Sequence, residues 1–261
     1  MITSLTNKKI KNLVQIAEKS KYRKEQKVFL VEGTKMFLEA KEENIVEVYL
    51  TESFLEKEKE EKLLWDKLEN AKYELVTEEV FKKISATMTP QGILAVVKQA
   101  QYELQQLWQK KNPLLLLVED IQDPGNLGTM IRTAEGAGVD GIIMTKNTVD
   151  IYNPKTIRST MGSVYRMPFY YTENLIHIME ELKKQKIKIY AAHLEGKQSY
   201  YDLDYTGGTA FLIGNEGNGL KKETADRADC YMKIPMEGKV ESLNAAVASV
   251  ILMYEAARQR K

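Results

Sequence analysis

Three short polar segments in the second half of the chain hold the residues best suited to chemistry. They are Asn126-Leu127-Gly128 running to Arg132, Ile213-Gly214-Asn215-Glu216-Gly217, and Ile234-Pro235-Met236 leading to Ser242-Leu243-Asn244. Each segment follows a run of residues that is typical of a strand. Because open α/β sheets bind ligands at the carboxyl ends of their strands, the three segments predict one site that surrounds a polar small molecule with backbone.

The first segment places an amide and a guanidinium on one predicted helix. Pro124-Gly125 turns the chain after a strand, Asn126 begins the helix, and Arg132 follows about two turns later. Taken alone, this segment is better explained by a helix N-cap at Asn126 and a surface arginine at Arg132 than by a functional site.

The other two segments bring backbone and an acid to the same predicted edge. The second has three glycines within six positions and Glu216 among them, and glycine lets backbone groups approach a ligand closely. In the third, Pro235 stiffens the exit from a strand, and Ser242 is placed to cap the last helix. A capped helix explains Ser242 alone, but it does not explain the Ile-Pro-Met-x-Gly sequence before it.

Alternating strand and helix patterns predict two α/β domains. In the first domain, residues 1–100, strands are expected at 28–31, 46–50, 73–76 and 93–97. In the second, residues 113–261, they are expected at 114–118, 141–144, 187–192, 210–213 and 231–234. The polar, Gln-rich residues 101–112 between them are interpreted as a linker. The last helix is expected to carry one apolar stripe, formed by Leu243, Ala246, Val247, Val250, Ile251 and Tyr254.

Composition excludes several classes of site. One cysteine, Cys230, allows no internal disulfide, and the two histidines have no metal-ligand spacing, so no metal site is expected. No apolar run approaches the roughly 18–20 residues that cross a bilayer, and no signal-peptide pattern is present, which together predict a cytoplasmic protein. Residues 136–141 spell G-x-G-x-x-G, but they follow a helix and precede a strand, which argues against a nicotinamide oxidoreductase.

Charge is distributed unevenly although its net value is only +1. The first 30 residues hold eight Lys or Arg against two Glu, whereas residues 41–62 hold eight Glu against four Lys. A basic arm of this kind suits contact with nucleic-acid phosphates. A lysine-rich surface helix explains the same pattern.

The three segments, in their order and internal spacing, resemble the signature motifs of the SpoU family, AdoMet-dependent RNA ribose 2′-O-methyltransferases of the SPOUT superfamily. Residues 158–163 and 27–33 extend the resemblance, the latter to the L30e-like substrate-binding domain of two-domain members. The resemblance implies an α/β fold in which a C-terminal SPOUT domain, with a parallel sheet and a deep trefoil knot, follows a smaller N-terminal L30e-like α/β domain. It also implies a homodimer and S-adenosyl-L-methionine as cofactor, with no metal.

The resemblance carries residue roles onto this sequence. The catalytic pocket is expected to contain Asn126, Arg132, Glu216, Ser242 and Asn244. AdoMet is expected to contact Gly214, Glu216, Gly217, Ile234, Met236, Ser242 and Leu243. RNA contacts are expected at Lys8, Lys9, Lys11, Arg23, Lys24, Arg132 and Arg158.

The expected chemistry at Arg132 follows from its charge. A guanidinium stays protonated and is a poor general base, so Arg132 suits a clamp on an RNA phosphate that also stabilises the forming 2′-alkoxide. Glu216 or an RNA phosphate is then the expected proton acceptor.

The predicted function is methyl transfer to a ribose 2′-hydroxyl in RNA, with 23S rRNA preferred because two-domain relatives mostly act there. The alternatives are a tRNA 2′-O-methyltransferase and a catalytically inactive RNA-binding factor. The inactive factor predicts that a motif Asn, Arg or Glu is missing, and none is missing here.

Overall fold

The computed structural model describes every residue from Met1 to Lys261. The α-helices are α1 Lys8–Glu18, α2 Ser20–Gln26, α3 Thr34–Glu39, α4 Glu52–Lys57, α5 Lys62–Asn70, α6 Glu78–Ile84, α7 Pro124–Gly136, α8 Pro154–Thr160, α9 Leu175–Lys184, α10 Lys222–Ala225 and α11 Ala245–Gln259. The strands are β1 Val28–Glu32, β2 Ile45–Leu50, β3 Tyr73–Leu75, β4 Ile93–Lys98, β5 Leu114–Val118, β6 Gly141–Thr145, β7 Phe169–Thr172, β8 Lys188–Ala192, β9 Gln198–Ser199, β10 Thr209–Ile213 and β11 Cys230–Lys233.

The chain divides into two compact units. Unit 1 contains Met1–Gln101 and Asp150–Tyr165, and unit 2 contains Tyr102–Val149 and Arg166–Lys261. Residues 150–165, including α8, therefore cluster with the N-terminal half, although the sequence suggests a single division near residues 101–112. Their apolar side chains explain this, since the Tyr152 ring lies 4.5 Å from that of Phe29 in β1.

Unit 1 is built on a four-stranded sheet with the order β1-β4-β2-β3. Strand β4 runs antiparallel to β1 and β2, and β3 runs parallel to β2. The apolar face of α1, formed by Ile10, Leu13 and Ile16, packs into a core cluster with residues of α6 and the sheet. Burial of that face leaves the lysines of α1 exposed.

Unit 2 is built on a seven-stranded sheet with the order β7-β6-β5-β10-β8-β11-β9, and every adjacent pair is parallel. This confirms the predicted α/β fold with a parallel sheet. All residues of the central strands β5 and β10 are buried, as continuous apolar runs predict. The sequence missed β7 and β9, which lie at the two edges of the sheet and are only four and two residues long.

All of the predicted linker except Gln101 is part of unit 2. Leu107 lies in a short 3-10 helix, Leu104–Trp108, and is buried in the core of that unit. Tyr102, Leu104 and Trp108 pack against the same core, which explains why a polar stretch contains four large apolar residues.

The start of α11 differs from the prediction. The helix begins at Ala245, and its N-cap is Asn244, whose Oδ1 accepts hydrogen bonds from the backbone N–H groups of Ala246 and Val247. Ser242 is exposed and does not cap it. Both residue types are good N-caps, so the sequence alone did not distinguish them.

The buried face of α11 also differs from the prediction. It is formed by Ala246, Ser249, Leu252, Met253 and Ala256. Two members of the predicted stripe, Val247 and Tyr254, are instead 47% and 52% exposed. Because this helix is apolar on nearly every side, periodicity could not identify the face that packs on the sheet.

No helix in the chain has the length and apolar character needed to span a bilayer. No group of three or more His, Cys, Asp or Glu side chains is arranged to hold a metal ion.

Candidate active site

Side chains from all three polar segments meet at the carboxyl edge of the sheet in unit 2. The Asn244 amide donates a 3.0 Å hydrogen bond to Oδ1 of Asn126. The Asn126 amide in turn donates a 3.0 Å hydrogen bond to Oε1 of Glu216. The sequence therefore correctly indicated that the three segments converge, and the structure shows that hydrogen bonds link them.

The Glu216 carboxylate is the centre of this arrangement because it accepts four hydrogen bonds. Its Oε1 accepts from the Asn126 side chain and from the backbone N–H of Asp123, at 3.0 and 3.1 Å. Its Oε2 accepts from the backbone N–H of Gln122 at 3.1 Å and from the Asn215 side chain at 3.4 Å.

These donors decide the protonation state of Glu216. Partial burial raises the pKa of its carboxyl, but the hydrogen bonds from the Asn126 side chain and from nearby backbone N–H groups outweigh that effect. The pKa is therefore lowered from its ordinary value. An ionised carboxylate with four donors positions its neighbours well and accepts a further proton poorly.

The start of α7 sets the direction of Asn126. The helix begins at Pro124, and its N-cap is Asp123, whose Oδ1 accepts a 2.7 Å hydrogen bond from the backbone N–H of Asn126. Asn126 is thus in the first turn, and the N-cap interpretation of this residue is wrong. Its side chain is left to connect Glu216 and Asn244.

The loop after β10 is shaped by Gly214 and Asn215. A Cβ atom at Gly214 would lie 2.3 Å from the carbonyl carbon of Gly219 and 2.4 Å from the backbone nitrogen of Leu220, so only glycine fits. The Asn215 side chain accepts from the backbone N–H groups of Gly217 and Asn218 at 2.9 and 3.0 Å.

A second layer of contacts anchors these loops, and sequence analysis did not predict it. Asp120 follows β5 with φ of 54°, and its backbone carbonyl accepts a 2.7 Å hydrogen bond from Asn215. Its carboxylate pairs with Lys221 at 2.7 Å and accepts from Thr145 at 2.7 Å. Burial raises the pKa of Asp120, but these contacts outweigh it and the pKa is lowered. The position of Asp120, two residues after a buried strand, was the available signal.

Glu119, which precedes Asp120, is a buried acid that joins β5 to α10. It is 2% exposed, and its carboxylate accepts from the Thr224 hydroxyl at 2.5 Å and from the backbone N–H of Lys221 at 2.8 Å. These two bonds attach the segment after the glycine loop to the end of the central strand.

The third segment offers backbone groups that have no partner within the chain. Ile234, Pro235 and Met236 are half-buried, and residues 237–242 are exposed. From residue 236 to residue 243 the backbone makes no hydrogen bond within the chain. Most of these N–H and C=O groups face solvent, so they are available to a ligand with polar edges.

The segment after β8 is a further part of this edge that sequence analysis missed. Strand β8 lies between β10 and β11, so its carboxyl end opens beside both predicted segments. There Gly196 packs on backbone, and a Cβ would lie 2.5 Å from the carbonyl carbon of Met232. His193 donates from its backbone N–H to the same residue at 2.9 Å. The strand order, which the sequence does not specify, was needed to locate this segment.

An open cleft of about 750 Å³ runs along the hydrogen-bonded residues. It is lined by Gln122, Asp123, Asn126, Glu216, Asn218 and Asn244. Polar groups therefore converge beside the partnerless backbone of the third segment, as expected of a site that binds one polar molecule and acts on another.

Arg132 does not join the asparagine pair. It is exposed on α7 and makes no hydrogen bond or ion pair within the chain. Six residues separate it from Asn126, which corresponds to about 9 Å along the helix axis and a rotation of about 240°. Its guanidinium is available for an external anion.

The RNA contacts predicted in unit 1, apart from Arg23, fall into three groups. Lys8, Lys11 and Lys24 are exposed, whereas Lys9 is exposed but paired with Glu47 and Glu74. In Arg158, also exposed, one guanidinium nitrogen donates to the carbonyl of Ala86 at 3.4 Å. These side chains remain accessible to a phosphate.

Arg23 requires a correction. It is 2% exposed, pairs with Asp150 at 2.8 Å, and donates to the backbone carbonyls of Ile16 and Ala17 at 2.6 and 3.0 Å. A buried guanidinium with these partners cannot reach an RNA phosphate, so the contact predicted for Arg23 is replaced by a structural role.

A parallel α/β sheet with a polar cleft at its carboxyl edge defines an α/β protein with a small-molecule site. Residues 113–254 match the model of the SpoU rRNA Methylase family, and residues 7–95 match that of the MRM3-like substrate binding domain. The chain is 34% identical to 23S rRNA (guanosine(2553)-2′-O)-methyltransferase RlmP of Bacillus subtilis (strain 168), over 97% of both chains.

Two solved structures are similar over nearly the whole chain. An AdoMet-bound rRNA methyltransferase from Sinorhizobium meliloti is 30% identical with a TM-score of 0.83, covering 98% of this chain and 97% of that one. The SpoU methyltransferase AviRb from Streptomyces viridochromogenes, in complex with AdoMet, is 25% identical with a TM-score of 0.86, covering 97% and 98%. The chain belongs to the SpoU rRNA methylase family, and the predicted resemblance is confirmed.

Proposed function

We propose that this protein transfers the methyl group of AdoMet to the 2′-hydroxyl of a guanosine ribose in 23S rRNA. The observation that carries the proposal is the hydrogen-bonded series Asn244–Asn126–Glu216, which joins all three family motifs at one cleft. RlmP and the Sinorhizobium meliloti enzyme, both similar over nearly the whole chain, are named as rRNA methyltransferases, and this favours rRNA over tRNA. RlmP is named for a guanosine, which supports the choice of nucleotide.

The residues at the sheet edge fit AdoMet on two structural grounds. Gly214 lets the loop after β10 pack against its own backbone at Gly219 and Leu220, which fixes the shape of the sheet edge, and the backbone from residue 236 to residue 243 presents donors and acceptors without partners in the chain. We infer that Gly214, Gly217, Ile234, Met236, Ser242 and Leu243 hold the cofactor, mainly through main-chain atoms. When bound, AdoMet supplies an electrophilic methyl group, so that no metal is needed.

Asn126 and Asn244 are proposed to orient the ribose hydroxyl. Each amide already has one donor or acceptor committed to its neighbour, which fixes how it is turned. Asn126 keeps a second N–H and a second lone pair on Oδ1. These groups are suited to hold the 2′-hydroxyl in line with the methyl group, which lowers the entropy cost of the reaction.

Glu216 is proposed to act as a positioning residue. Its carboxylate has a lowered pKa and four donors, so it holds Asn126 and the start of α7 in place. With both Glu216 oxygens occupied by donors, the acceptor that remains of the two predicted from the sequence is an RNA phosphate, which is favoured by its position beside the ribose and not by its basicity. Arg132, which is exposed and has no ion pair, is proposed to clamp an RNA phosphate with its planar donors.

We further propose a homodimer that acts in the cytoplasm, where its rRNA substrate is assembled into ribosomes. The exposed apolar surface of α11 supports self-association, because Val247 and Tyr254 are 47% and 52% exposed beside half-buried Val250 and Ile251. A two-fold contact through this stripe would bury it.

The predicted trefoil knot stays a prediction.

The decisive test is incubation of the purified protein with 23S rRNA and AdoMet carrying a labelled methyl group. The expected product is one 2′-O-methylated guanosine, identified by mass spectrometry of nuclease fragments and by resistance of its 3′ phosphodiester bond to alkali. Label on a base, or no label with AdoMet shown to bind by calorimetry, would contradict the proposal.

A further inference from the structure

Unit 1 contains a cavity whose walls are mostly apolar. Its volume is about 170 Å³, comparable to the roughly 150 Å³ cavity that accepts a benzene ring in another protein. The apolar walls come from Leu30, Met36, Ile84, Leu94 and Ile157. Protein interiors rarely leave voids larger than a water molecule, so a space of this size suits a ligand.

The wall formed by residues 85–91 is held in place by one carboxylate. Glu32, at the end of β1, accepts hydrogen bonds from the hydroxyls of Ser85 and Thr87 at 2.9 and 2.8 Å. It also accepts from the backbone N–H groups of Ala86 and Gln91 at 3.2 and 3.4 Å. The cavity is therefore formed before any ligand arrives.

The mouth of the cavity combines positive charge with one amide that has no partner. Lys35 and Arg158 are exposed and line the cavity, although Lys35 also forms a loose 3.8 Å ion pair with Glu39. Glu32, the only acid among the lining residues, has its oxygens occupied by the loop. The Gln91 side chain makes no hydrogen bond within the chain, so its donor and its acceptor are both available. It lies over Gly33, where a Cβ would be 2.6 Å from Oε1 and where φ is 98°.

We propose that this cavity takes one unstacked RNA base, other than the base of the methylated nucleotide. The inference rests on the proposed function, since it assigns a second contact with the same RNA. Apolar walls accommodate the base, the Gln91 amide pairs with its polar edge, and Lys35 and Arg158 bind the phosphates beside it. Single-stranded RNA is generally read in this way, through splayed bases rather than through helix grooves. The match of residues 7–95 to a substrate-binding domain agrees with this assignment.

The test combines a filled cavity with removal of single bases from the RNA. Ala86 is exposed and lines the cavity, so Ala86→Trp fills its mouth without disturbing the core. Met88 is 97% exposed on the same loop and does not line the cavity, which makes Met88→Trp the matched control. Binding is measured for a synthetic 23S rRNA fragment around the methylated guanosine, and for versions with an abasic site at each other unpaired position.

Wild type is expected to lose about tenfold in affinity at one abasic position. Ala86→Trp should bind the intact fragment about tenfold more weakly and no longer respond to that abasic site, and Gln91→Ala should show a smaller loss. Met88→Trp should match wild type, and thermal unfolding should be unchanged in all three variants.

Two results would overturn the inference. If Ala86→Trp binds and methylates the intact fragment like wild type, or keeps the full response to the abasic site, the cavity does not hold an RNA base and is left to another ligand. If wild type binds AdoMet but methylates no RNA, the proposed function fails and this inference fails with it. If wild type methylates the RNA normally and Ala86→Trp binds and methylates it equally well, only the cavity assignment is lost and the proposed function stands.

Discussion

Replacing Glu216 by Gln tests whether this carboxylate positions Asn126 or takes a proton. The two carboxylate oxygens accept four hydrogen bonds, two on each oxygen. A glutamine side chain has one oxygen, so its NH₂ group must face two donors on one side. If the oxygen stays with Asn126, the NH₂ group faces the backbone N–H of Gln122 and the Asn215 amide.

The expected loss follows from the bonds that fail. One of the two displaced bonds is 3.1 Å long and the other is a weaker 3.4 Å contact, so about one strong bond is lost. A hydrogen bond to a charged group contributes about 1.5–3 kcal/mol. If that energy holds the site in its reactive geometry, the rate falls roughly 10- to 150-fold. Because Glu216 is exposed, water replaces part of the lost bonding in the resting protein, and Tm falls by only a few degrees, at about 2–4 °C per kcal/mol.

Single-turnover methylation of the 23S rRNA fragment measures this loss, with AdoMet binding and thermal unfolding recorded on the same samples. Glu223→Gln is the matched control, because Glu223 is exposed on α10 and makes no hydrogen bond or ion pair. It should behave as wild type in all three measurements.

The pH profile separates positioning from base catalysis. The folded-state pKa of Glu216 is lowered, so its contribution is present above the unfolded pKa and is lost only as the pH falls through the folded value. Above about pH 5 Glu216 stays ionised, so its titration should not change the wild-type rate in that range. Positioning is refuted if Glu216→Gln keeps the wild-type rate, or if wild type has a neutral-range pH dependence that Glu216→Gln removes.

Three further substitutions test other parts of the site and the fold. Gly214→Ala should lower the unfolding free energy by about 1–3 kcal/mol and weaken AdoMet binding, because its methyl group would lie 2.3 Å from backbone. Gly207→Ala, which has open space around it, should change neither quantity. Calorimetry of unfolding and of AdoMet binding tests both variants. Arg132→Lys should lower the methylation rate without changing Tm, because the exposed planar fork is lost while the charge remains; an unchanged rate would remove the phosphate-clamp assignment. Arg23→Ala should lower the unfolding free energy by about 3–5 kcal/mol, measured by urea unfolding, because it breaks a buried ion pair. Lys24→Ala should weaken only RNA binding, measured by RNA titration. Normal stability of Arg23→Ala, or unchanged RNA binding by Lys24→Ala, would contradict these assignments.

Local patterns in the sequence identified most of the elements. The central strand Leu114–Val118 was predicted with its observed bounds, because a continuous apolar run is typical of a strand covered on both faces. The N-terminal strands were placed to within about a residue or two for the same reason. Strands β7 and β9 were missed because edge strands are short and less apolar.

For the site, residue types and spacing along the chain predicted which segments meet, and the structure brings Asn126, Glu216 and Asn244 together as expected. Residue types and spacing are local properties, so they can be recognised from the sequence alone. Three of the four donors on Glu216, and the ion pair of buried Arg23 with Asp150, come from residues far apart in sequence. A single sequence does not record which distant donor faces which acceptor, or which side of an all-apolar helix is covered. Only tertiary packing decides these contacts, because it selects one among many arrangements with the same local preferences.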